Sequence, residues 1–395
     1  MTKVLRILNR FNVGGPIFNA SYLTKYMPSQ YESKLIGGIN DESEANSLYV
    51  PESLGLEPIQ LANMKRKVGL LDDRKAYLDI KKIIKEFKPD IVHTHASKAG
   101  AIGRFAASNC KVPIIIHTFH GNVFDGYFSP AKTKIFKSIE RYLAEKSTAI
   151  VCISNGQKEQ ICNEHQICPP EKVHVIPLGL DLDRFSENEE FKRYAYRTKF
   201  EIAEDTIAIG IIGRLVPVKN HSLFIQAISY VKNHTQKKVQ AFIIGDGEER
   251  RSIEDLCRIM GLKYSKRPNP KADVIFTSWI LDVEEPIAGL DLVCLTSINE
   301  GTPVSLIEAQ AGGRAVVATK AGSTEEVVKH NETGLICDVF QDNQFYLNLL
   351  ELIDNDELRK KFEKNGKAHV QKNYSIKRLV DDTDRLYQSL LDSTK

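Results

Sequence analysis

The sequence predicts an α/β protein with two domains, each built on a parallel β-sheet that helices cover on both faces. The chain has 395 residues, which is too long for a single hydrophobic core. Short apolar runs alternate with longer amphipathic stretches in both halves, and this alternation is typical of parallel sheets. It pauses in a charged stretch from Asp181 to Glu201. We therefore predict the domain boundary in that stretch.

In the first half, apolar runs predict strands and the stretches between them predict helices. The predicted strands are Val4 to Leu8, Lys34 to Gly37, Ile91 to Thr94, Pro113 to Thr118 and Ala149 to Ile153. The predicted helices are Ile17 to Tyr26, Asp73 to Phe87, one that starts near Ala99, and Ala131 to Lys146. We expect residues 1–185 to form an N-terminal, Rossmann-like domain.

The second half resumes with a strand from Ile207 to Ile212 and alternates as far as about Cys337. Beyond that point, the apolar periodicity predicts helices from Asn343 to Asp354, Glu357 to Val370 and Ile376 to Leu391. We predict a linker at residues 186–205, a second Rossmann-like domain at 206–373 and a C-terminal helix within 374–395.

Composition narrows the class of protein. Hydrophobic residues make up 42% of the chain and charged residues 27%, as in soluble globular proteins. There is no run of about 18 apolar residues and no apolar leader, so we expect neither a membrane-spanning helix nor a signal peptide. The seven cysteines are scattered without a C-x-x-C pair. This pattern favours buried thiols in a reducing, cytoplasmic environment.

The charge is distributed unevenly. Residues 1–185 carry 25 Lys and Arg against 19 Asp and Glu, a net charge of +6, whereas the remainder carries −3. The basic half includes Lys65-Arg66-Lys67, Lys81 to Lys85, and Lys132, Lys134 and Lys137. Such runs usually form a solvated helix face, but they can also attract an anionic lipid surface. No nucleic-acid-binding motif accompanies them, so we expect no nucleic acid partner.

Two glutamates mark the segment that says most about function. Glu300 and Glu308 follow the apolar run Leu292 to Leu295, which predicts a buried strand. Thr302 and Pro303 then predict an N-cap and a first helical position. The backbone N–H groups after Glu300 would open a helix that attracts phosphate, and a buried Glu308 would need hydrogen-bond donors. Two carboxylates beside an anion site suit a sugar nucleotide.

A second group of residues can bind a diphosphate. Gly213 follows the strand Ile207 to Ile212 and lets the backbone approach a ligand. Arg214 can donate to two phosphate oxygens, and Lys219 adds a compact positive charge. On the first domain, Gly14 and Gly15 follow the first strand and can also give close backbone approach.

The segment from Asn299 to Gly313 resembles the E-x7-E signature of retaining glycosyltransferases with the GT-B fold, and Gly313 to Thr319 is similar to the strand that continues it in glycosyltransferase family 4. Further similarities lie at Val175–Asp181, Ile209–Asn220, Phe242–Gly247 and Val274–Trp279. The resemblance covers nearly the whole chain. It implies two Rossmann-like domains that face each other across a cleft, with a C-terminal helix that crosses back to the first domain.

The resemblance also implies roles for individual residues. Arg214 and Lys219 would stabilise the departing diphosphate. Glu300 would orient sugar hydroxyls, Glu308 would bind the ribose, and His120 would face the transferred sugar. The residues expected to contact the donor are Gly14, Gly15, Gly213, Arg214, Lys219, Gly245, Trp279, Glu300, Gly301, Thr302, Val304 and Glu308.

The chain departs from the common family pattern after the first glutamate. Thr302 to Ser305 replace the usual Phe-Gly-Leu-Pro, and Pro303 removes one N–H that could contact phosphate. This variant resembles bacterial enzymes of capsule, exopolysaccharide or O-antigen assembly, which extend a lipid-linked saccharide. We expect a retaining, metal-independent hexosyltransferase that uses a UDP-linked sugar as substrate, needs no cofactor and contacts the inner face of the cell membrane peripherally.

The histidines support a rival hypothesis. His93, His95, His117 and His120 could bind a metal in a hydrolase, because H-x-H sequences occur in metal sites. No Asp or Glu ligand is adjacent to them, however, and a metal site would leave Glu300 and Arg214 unexplained. Packing within the core is the alternative for His93, His95 and His117. An epimerase or a sugar-nucleotide sensor with the same fold remains a further alternative.

Overall fold

The structure is a computed structural model that describes residues 1–12, 14–39, 47–65, 69–121 and 130–393, with only the backbone described at residues 130 and 131. The chain divides into two compact units. Unit 1 comprises Met1–Leu180 and Ser375–Lys395, and unit 2 comprises Asp181–Tyr374. Two members of the basic runs, Arg66 and Lys67, lie outside the described residues.

Each unit contains one sheet in which neighbouring strands are parallel. The strands of unit 1 are β1 (Thr2–Arg10), β2 (Tyr31–Gly38), β3 (Ile59–Leu61), β4 (Ile91–His95), β5 (Ile114–Phe119), β6 (Ala149–Cys152) and β7 (Val173–Val175). Those of unit 2 are β8 (Thr206–Ile212), β9 (Lys238–Ile244), β10 (Tyr264–Ser265), β11 (Val274–Ser278), β12 (Leu292–Leu295), β13 (Ala315–Thr319) and β14 (Leu335–Cys337).

The helices connect these strands and cover both faces of each sheet. They are α1 (Gly15–Tyr26), α2 (Tyr49–Ser53), α3 (Leu70–Phe87), α4 (Ser97–Asn109), α5 (Pro130–Lys146), α6 (Asn155–Glu159), α7 (Glu189–Lys199), α8 (His221–His234), α9 (Arg250–Ile259), α10 (Glu284–Gly289), α11 (Val304–Ala311), α12 (Thr324–Val327), α13 (Asp342–Asp354), α14 (Asp356–Tyr374) and α15 (Ile376–Ser393). None of the helices in the described ranges is both long enough and apolar enough to cross a membrane.

The two sheets have the same strand order around their opening strands, but they differ at one edge, where β11 lies between β9 and β10 in unit 2. The order is β3-β2-β1-β4-β5-β6-β7 in unit 1 and β10-β11-β9-β8-β12-β13-β14 in unit 2. In each sheet, the chain first moves outward on one side of the opening strand and then returns to its other side. The point of reversal lies between β1 and β4 in unit 1 and between β8 and β12 in unit 2. Ligands of such sheets bind beyond the carboxyl ends of the strands at this point.

The core of unit 1 shows why its strands are almost continuously apolar. Val4 and Ile91 pack on one face of the sheet with helices α1 and α15, whereas Leu5 and Val92 pack on the other face with α3 and α4. Successive strand side chains point to opposite faces, so a strand that is buried on both faces needs apolar residues at nearly every position. This requirement explains the apolar runs in the sequence, which only a few buried polar residues such as Arg6 and His93 interrupt.

The C-terminal helix α15 belongs to unit 1, as the predicted fold requires. Leu379, Val380 and Leu386 of this helix are buried in the same cluster as Val4. Arg378 donates two hydrogen bonds to the carbonyl groups of Pro177 and Leu178, at 2.8 and 2.5 Å. The helix is therefore fixed to unit 1 by apolar burial and by backbone contacts.

The stretch predicted to be a linker, residues 186–205, instead contains helix α7, which packs on α10 within unit 2. Tyr196 is buried, and a Cβ at Gly289 would lie 2.2 Å from its ring. Arg193 and Arg197 both form ion pairs with Asp291, at 2.6 and 3.3 Å. The charges that suggested an exposed linker are in fact ordered by these contacts.

Candidate active site

In unit 2, glycines bring the loops after β8 and β9 into direct contact. Gly213 has a φ angle of 154° and Gly245 one of 140°, both in the region that favours glycine. A Cβ on Gly245 would lie only 1.9 Å from the carbonyl oxygen of Gly213. The Gly213 N–H donates to the Ile244 carbonyl at 2.9 Å. These two predicted donor-binding positions therefore lie side by side at the carboxyl edge of the sheet.

The loops after β8 and β12 are joined by side chains of opposite charge. Lys219 Nζ lies 2.5 Å from Glu300 Oε1, and the Ser297 hydroxyl donates to the same oxygen at 2.6 Å. The Thr296 hydroxyl also donates to the Lys219 carbonyl at 2.8 Å. Because β8 and β12 flank the point of reversal in the strand order, this ion pair lies where a ligand is expected.

The sequence predicted separate partners for Lys219 and Glu300, namely diphosphate and sugar hydroxyls, but the structure pairs them with each other. Arg214 differs from both, because its side chain is exposed and no carboxylate of the described chain forms an ion pair with it. An incoming anion can therefore contact Arg214 directly. The same anion can reach Lys219 only by competing with Glu300.

The helix after Glu300 begins later than the sequence predicted. Helix α11 starts at Val304, Pro303 occupies the N-cap position, and no side chain caps the helix. Thr302 is therefore not the N-cap, and its hydroxyl is buried without a hydrogen-bond partner in the described chain. In the first helical turn, the Leu306 N–H donates to the Pro303 carbonyl at 3.1 Å. The Val304 and Ser305 N–H groups are therefore the ones without an intrahelical acceptor. They remain a site at which a phosphate oxygen can accept hydrogen bonds.

The turn that contains Glu300 is supported by a glycine that the sequence analysis missed. Gly322 has a φ angle of 54°, and a Cβ there would lie 1.8 Å from the Glu300 carbonyl oxygen. The neighbouring Ser323 N–H donates to the Gly301 carbonyl at 3.1 Å. The sequence did offer one indication of this contact: Gly322 comes soon after β13, the strand that follows the E-x7-E segment.

Glu308 lies in a less polar environment than Glu300. It is half-buried within α11, and burial raises the pKa of its carboxyl group to about 7. The positive charge of Arg184 opposes this rise and the negative charge of Glu284 adds to it. Arg184 is itself paired with Glu284 at 2.8 Å. Sequence reasoning missed both residues, because they lie far from Glu308 along the chain.

Trp279 follows β11 at the same edge of the sheet and is 59% exposed. The preceding Ser278 has a φ angle of 58°. Arg250 holds this turn by donating to Ser278 Oγ at 2.7 Å and to Asp246 Oδ2 at 2.6 Å. An exposed indole on a turn held in this way presents a flat surface on which a planar ring can stack.

The strand order places these side chains in sequence along one edge of unit 2. Trp279 follows β11, Gly245 follows β9, Arg214 follows β8, and Glu300 follows β12. The strands are neighbours in that order. The edge therefore offers an aromatic surface, a close backbone approach, a cation and a carboxylate in succession.

In unit 1, histidines lie towards the carboxyl ends of β4 and β5: His93 and His95 in β4, His117 in β5 and His120 directly after it. His93 accepts a hydrogen bond from the Tyr387 hydroxyl at Nδ1 and donates from Nε2 to Thr118 Oγ1, both at 2.7 Å. This assignment follows because Arg6 can only donate and lies 3.5 Å from the Tyr387 oxygen, so the hydroxyl proton is left for His93. His117 Nδ1 lies 2.9 Å from Thr94 Oγ1. His93 and His117 are thus held by structural hydrogen bonds.

His95 and His120 form a pair. His95 Nδ1 lies 3.0 Å from His120 Nε2, and the His95 ring stacks on His93 at 4.4 Å. The opposite nitrogens, His95 Nε2 and His120 Nδ1, are buried without a partner in the described chain. Of the two side chains, only that of His120 is partly exposed. His120 is therefore the member of the pair that lies nearer the surface, and His95 fixes its ring.

Burial keeps these imidazoles uncharged. It lowers the pKa of His93, His95 and His117 well below 6.5, and nearby positive charge lowers it further. Burial also lowers the pKa of His120 to about 3. Among the described residues, no group of three or more His, Cys, Asp or Glu side chains is placed to hold a metal ion.

Gly14 and Gly15 lie at the start of α1, beyond the carboxyl end of β1. A Cβ at Gly15 would meet no atom within 4 Å, and one at Gly14 would make only an ordinary contact. The fold of unit 1 therefore does not require glycine at either position. A role in ligand approach stays a prediction.

Comparison with known proteins agrees with this arrangement. Residues 192–369 match the family model described as glycosyl transferases group 1, and residues 35–184 match the model described as glycosyltransferase family 4. The chain belongs to these glycosyltransferases. The matches do not support the alternatives of a metal-dependent hydrolase, an epimerase or a sensor.

Individual relatives and solved structures are also similar to this glycosyltransferase. A UDP-Gal:alpha-D-GlcNAc-diphosphoundecaprenol alpha-1,3-galactosyltransferase of Escherichia coli is 28% identical over 326 residues, which cover 82% of this chain and 81% of that protein. The capsular polysaccharide biosynthesis glycosyltransferase CapM of Staphylococcus aureus is 25% identical, covering 83% and 84%. The crystal structure of Anabaena HepE in complex with UDP superposes with a TM-score of 0.81 at 18% identity, covering 98% of this chain and 100% of HepE. This likeness confirms the predicted fold class.

Proposed function

We propose that this glycosyltransferase moves a hexosyl unit from a UDP-linked sugar to a hydroxyl group of a lipid-linked saccharide, and that it keeps the anomeric configuration of the donor. The observation that carries the proposal is the edge of unit 2, where exposed Arg214 lies beside the Lys219–Glu300 ion pair at the point of strand reversal. The relative from E. coli acts on a diphosphoundecaprenol-linked acceptor and uses UDP-Gal, which supports the choice of donor and acceptor class.

The donor fits the order of groups along this edge. The base would stack on Trp279, the diphosphate would lie against Gly213, Arg214 and the first turn of α11, and Glu308 would accept hydrogen bonds from the ribose. When the diphosphate binds, Lys219 would move its charge from Glu300 to a phosphate oxygen. Glu300 would then be free to accept hydrogen bonds from the sugar hydroxyls.

This exchange of partners would serve the reaction. The bond from the anomeric carbon to the phosphate oxygen would break, a bond to the acceptor oxygen would form, and the acceptor hydroxyl would pass its proton to the departing diphosphate. Negative charge would therefore develop on the diphosphate in the transition state. Arg214 and Lys219 would stabilise that charge in the transition state. We propose that these two cations replace a metal ion and that the reaction needs no cofactor.

The group that unit 1 would contribute to donor binding is uncharged. His120, held by His95 and neutral because burial lowers its pKa, would make a hydrogen bond to the transferred sugar. A neutral imidazole suits this task, since the sugar carries no charge. An acceptor carried by a membrane lipid would also place the enzyme peripherally at the cytoplasmic face of the membrane.

The test combines binding and product analysis. Several nucleotide sugars are screened for thermal stabilisation, because a ligand at 100 times its Kd stabilises the folded state by about 2.7 kcal/mol. Nucleotide release is then measured with and without a diphosphoundecaprenol-linked saccharide, and proton NMR identifies the anomer formed first. Inversion of configuration, or release that does not depend on any saccharide acceptor, would contradict the proposal.

A further inference from the structure

Helices α3, α4 and α5 of unit 1 enclose a groove with a volume of about 1030 Å³ that the reaction described above does not use. Tyr77, Ile102, Phe105 and Ile139 are among the residues that line it. Phe105 is 43% exposed and Ile139 also 43%. Contiguous exposed apolar side chains of this kind mark interaction surfaces in soluble proteins.

The apolar surface continues along α5. Ile135, Ile139 and Tyr142 are spaced by four and three residues, so they lie on one face of the helix, and all three are exposed. Leu143 borders this face and lines the groove, whereas Ala144 lies on the opposite side of the helix, and both are buried in unit 1. Helix α5 is therefore apolar on its inward face, as folding requires, and again on part of its outward face, which folding does not require.

The charged side chains that line the groove without an ion-pair partner in the described chain are positive. Arg74 and Lys134 line it, and neither forms an ion pair with a carboxylate in the described part of the chain. The acidic groups nearby are already neutralised, because Asp73 pairs with Lys98 at 2.5 Å and Glu140 with buried Arg104 at 2.5 Å. The rim is thus positively charged around an apolar centre.

We infer that this surface, formed by the outward faces of α3, α4 and α5, docks on an anionic phospholipid bilayer. The aliphatic and aromatic side chains would enter the boundary between headgroups and acyl chains, and the cations would contact phosphate groups. A second copy of the chain is less suitable, since a two-fold contact would bring the same positive rims together. The inference rests on the proposed lipid-linked acceptor for its role, because docking would bring the enzyme to that substrate.

The experiment measures co-sedimentation of the full chain with vesicles made either of phosphatidylcholine alone or of equal parts phosphatidylcholine and phosphatidylglycerol. We expect binding to the anionic vesicles that weakens with salt, and at least roughly tenfold weaker binding to the neutral ones, since each nearby charge contributes about 1 kcal/mol. The double variants Ile135→Glu/Ile139→Glu and Arg74→Glu/Lys134→Glu should each weaken binding to the anionic vesicles by about tenfold or more.

The matched control is Ile259→Glu, which replaces an isoleucine that is 79% exposed on α9 of unit 2. It should bind vesicles as the unchanged chain does, and circular dichroism checks that all variants are folded. Failure of the unchanged chain to bind anionic vesicles, or equal binding by folded double variants, would overturn the inference. So would a dimer that Ile135→Glu/Ile139→Glu dissociates without any effect on vesicle binding. Because vesicle binding requires neither donor nor acceptor, a chain that binds vesicles but transfers no sugar would overturn only the proposed function.

Discussion

Unit 1 and unit 2 have the same strand order next to the opening strand, although β11 lies between β9 and β10 in unit 2, and the side chains at the carboxyl ends of those strands differ in charge. In unit 2 this edge carries exposed Arg214 and the Lys219–Glu300 ion pair. In unit 1 it carries histidines that burial keeps neutral. The same scaffold can therefore support two chemistries, because the sheet sets where a side chain lies and the surroundings set its charge.

The largest expected effect tests the charged edge. Arg214→Ala and Lys219→Ala should each lower kcat/KM at least tenfold, because a hydrogen bond to a charged group contributes about 1.5–3 kcal/mol. Nucleotide release in the presence of acceptor gives the rates. Lys271→Ala, at an exposed lysine in the loop before β11, should be unaffected. If both Arg214→Ala and Lys219→Ala showed the kinetics of the unchanged chain, the diphosphate would not bind at this site.

Substitutions of Glu300 and Glu308 should affect different kinetic parameters. Glu300→Gln should lower kcat by roughly tenfold with a small change in the donor KM, since Glu300 would contact the sugar during transfer. Glu308→Gln should mainly raise the donor KM, since Glu308 would only bind the ribose. Steady-state kinetics with varied donor separates the two effects. The opposite pattern would exchange the two roles.

The neutral edge should respond more weakly. His120→Ala should lower kcat by roughly threefold to tenfold, as expected for one uncharged hydrogen bond. Burial lowers the pKa of His120 to about 3, so His120 should not titrate near pH 6.5. Any inflection of kcat near that pH should therefore be the same in His120→Ala as in the unchanged chain. His234→Ala, at an exposed histidine of unit 2, is the control. A pH inflection that disappears in His120→Ala would show that unit 1 carries a titrating group after all.

A pH effect on donor binding should instead come from unit 2. Burial raises the pKa of Glu308 to about 7, with Arg184 opposing the rise and Glu284 adding to it. If the ionised carboxylate binds the ribose, the donor KM should fall as pH rises from 6 to 8, by at most about tenfold, which is the change in the ionised fraction. Glu308→Gln should abolish this fall. A KM independent of pH in the unchanged chain would argue against ribose binding by Glu308.

The raised pKa of Glu308 should improve donor binding as pH rises, but it should lower the stability of the folded chain over the same direction of pH change. A carboxyl group whose pKa is higher in the folded than in the unfolded state lowers the free energy of unfolding as pH rises from about 4.5 to about 7. Glu308→Gln should therefore reduce the loss of stability across this interval. Urea denaturation of both chains at several pH values measures the difference.

Removal of divalent metal ions should have the smallest effect on the rate of transfer. Transfer should continue in EDTA at nearly its original rate, because Arg214 and Lys219 would supply the positive charge at the leaving group. Restoration of a lost activity by a divalent ion would instead show that the cations of unit 2 are insufficient.

The sequence by itself determined the architecture and the segments that carry the candidate site. Strands that are buried on both faces need apolar residues at nearly every position, and the loops at Gly213 and Gly245 need glycine, so local pattern was enough to find these elements. The start of α11 was placed too early, because a Thr-Pro pair is a common helix start but Pro303 here remains outside the helix as its N-cap. The predicted linker was wrong because its charges find buried partners on α10 and nearby residues, which no local pattern reveals.

Only the tertiary structure decided how the site residues are paired. Lys219 and Glu300 lie 81 residues apart in the chain, and Tyr387 and His93 lie 294 residues apart. Each pair meets because the strand order or the return of α15 brings distant segments together. The charge states of His120 and Glu308 depend on burial in the same way, since desolvation by surrounding atoms shifts a pKa and residue type alone does not. The sequence therefore specified which chemical groups are present, and the fold specified their partners and their charges.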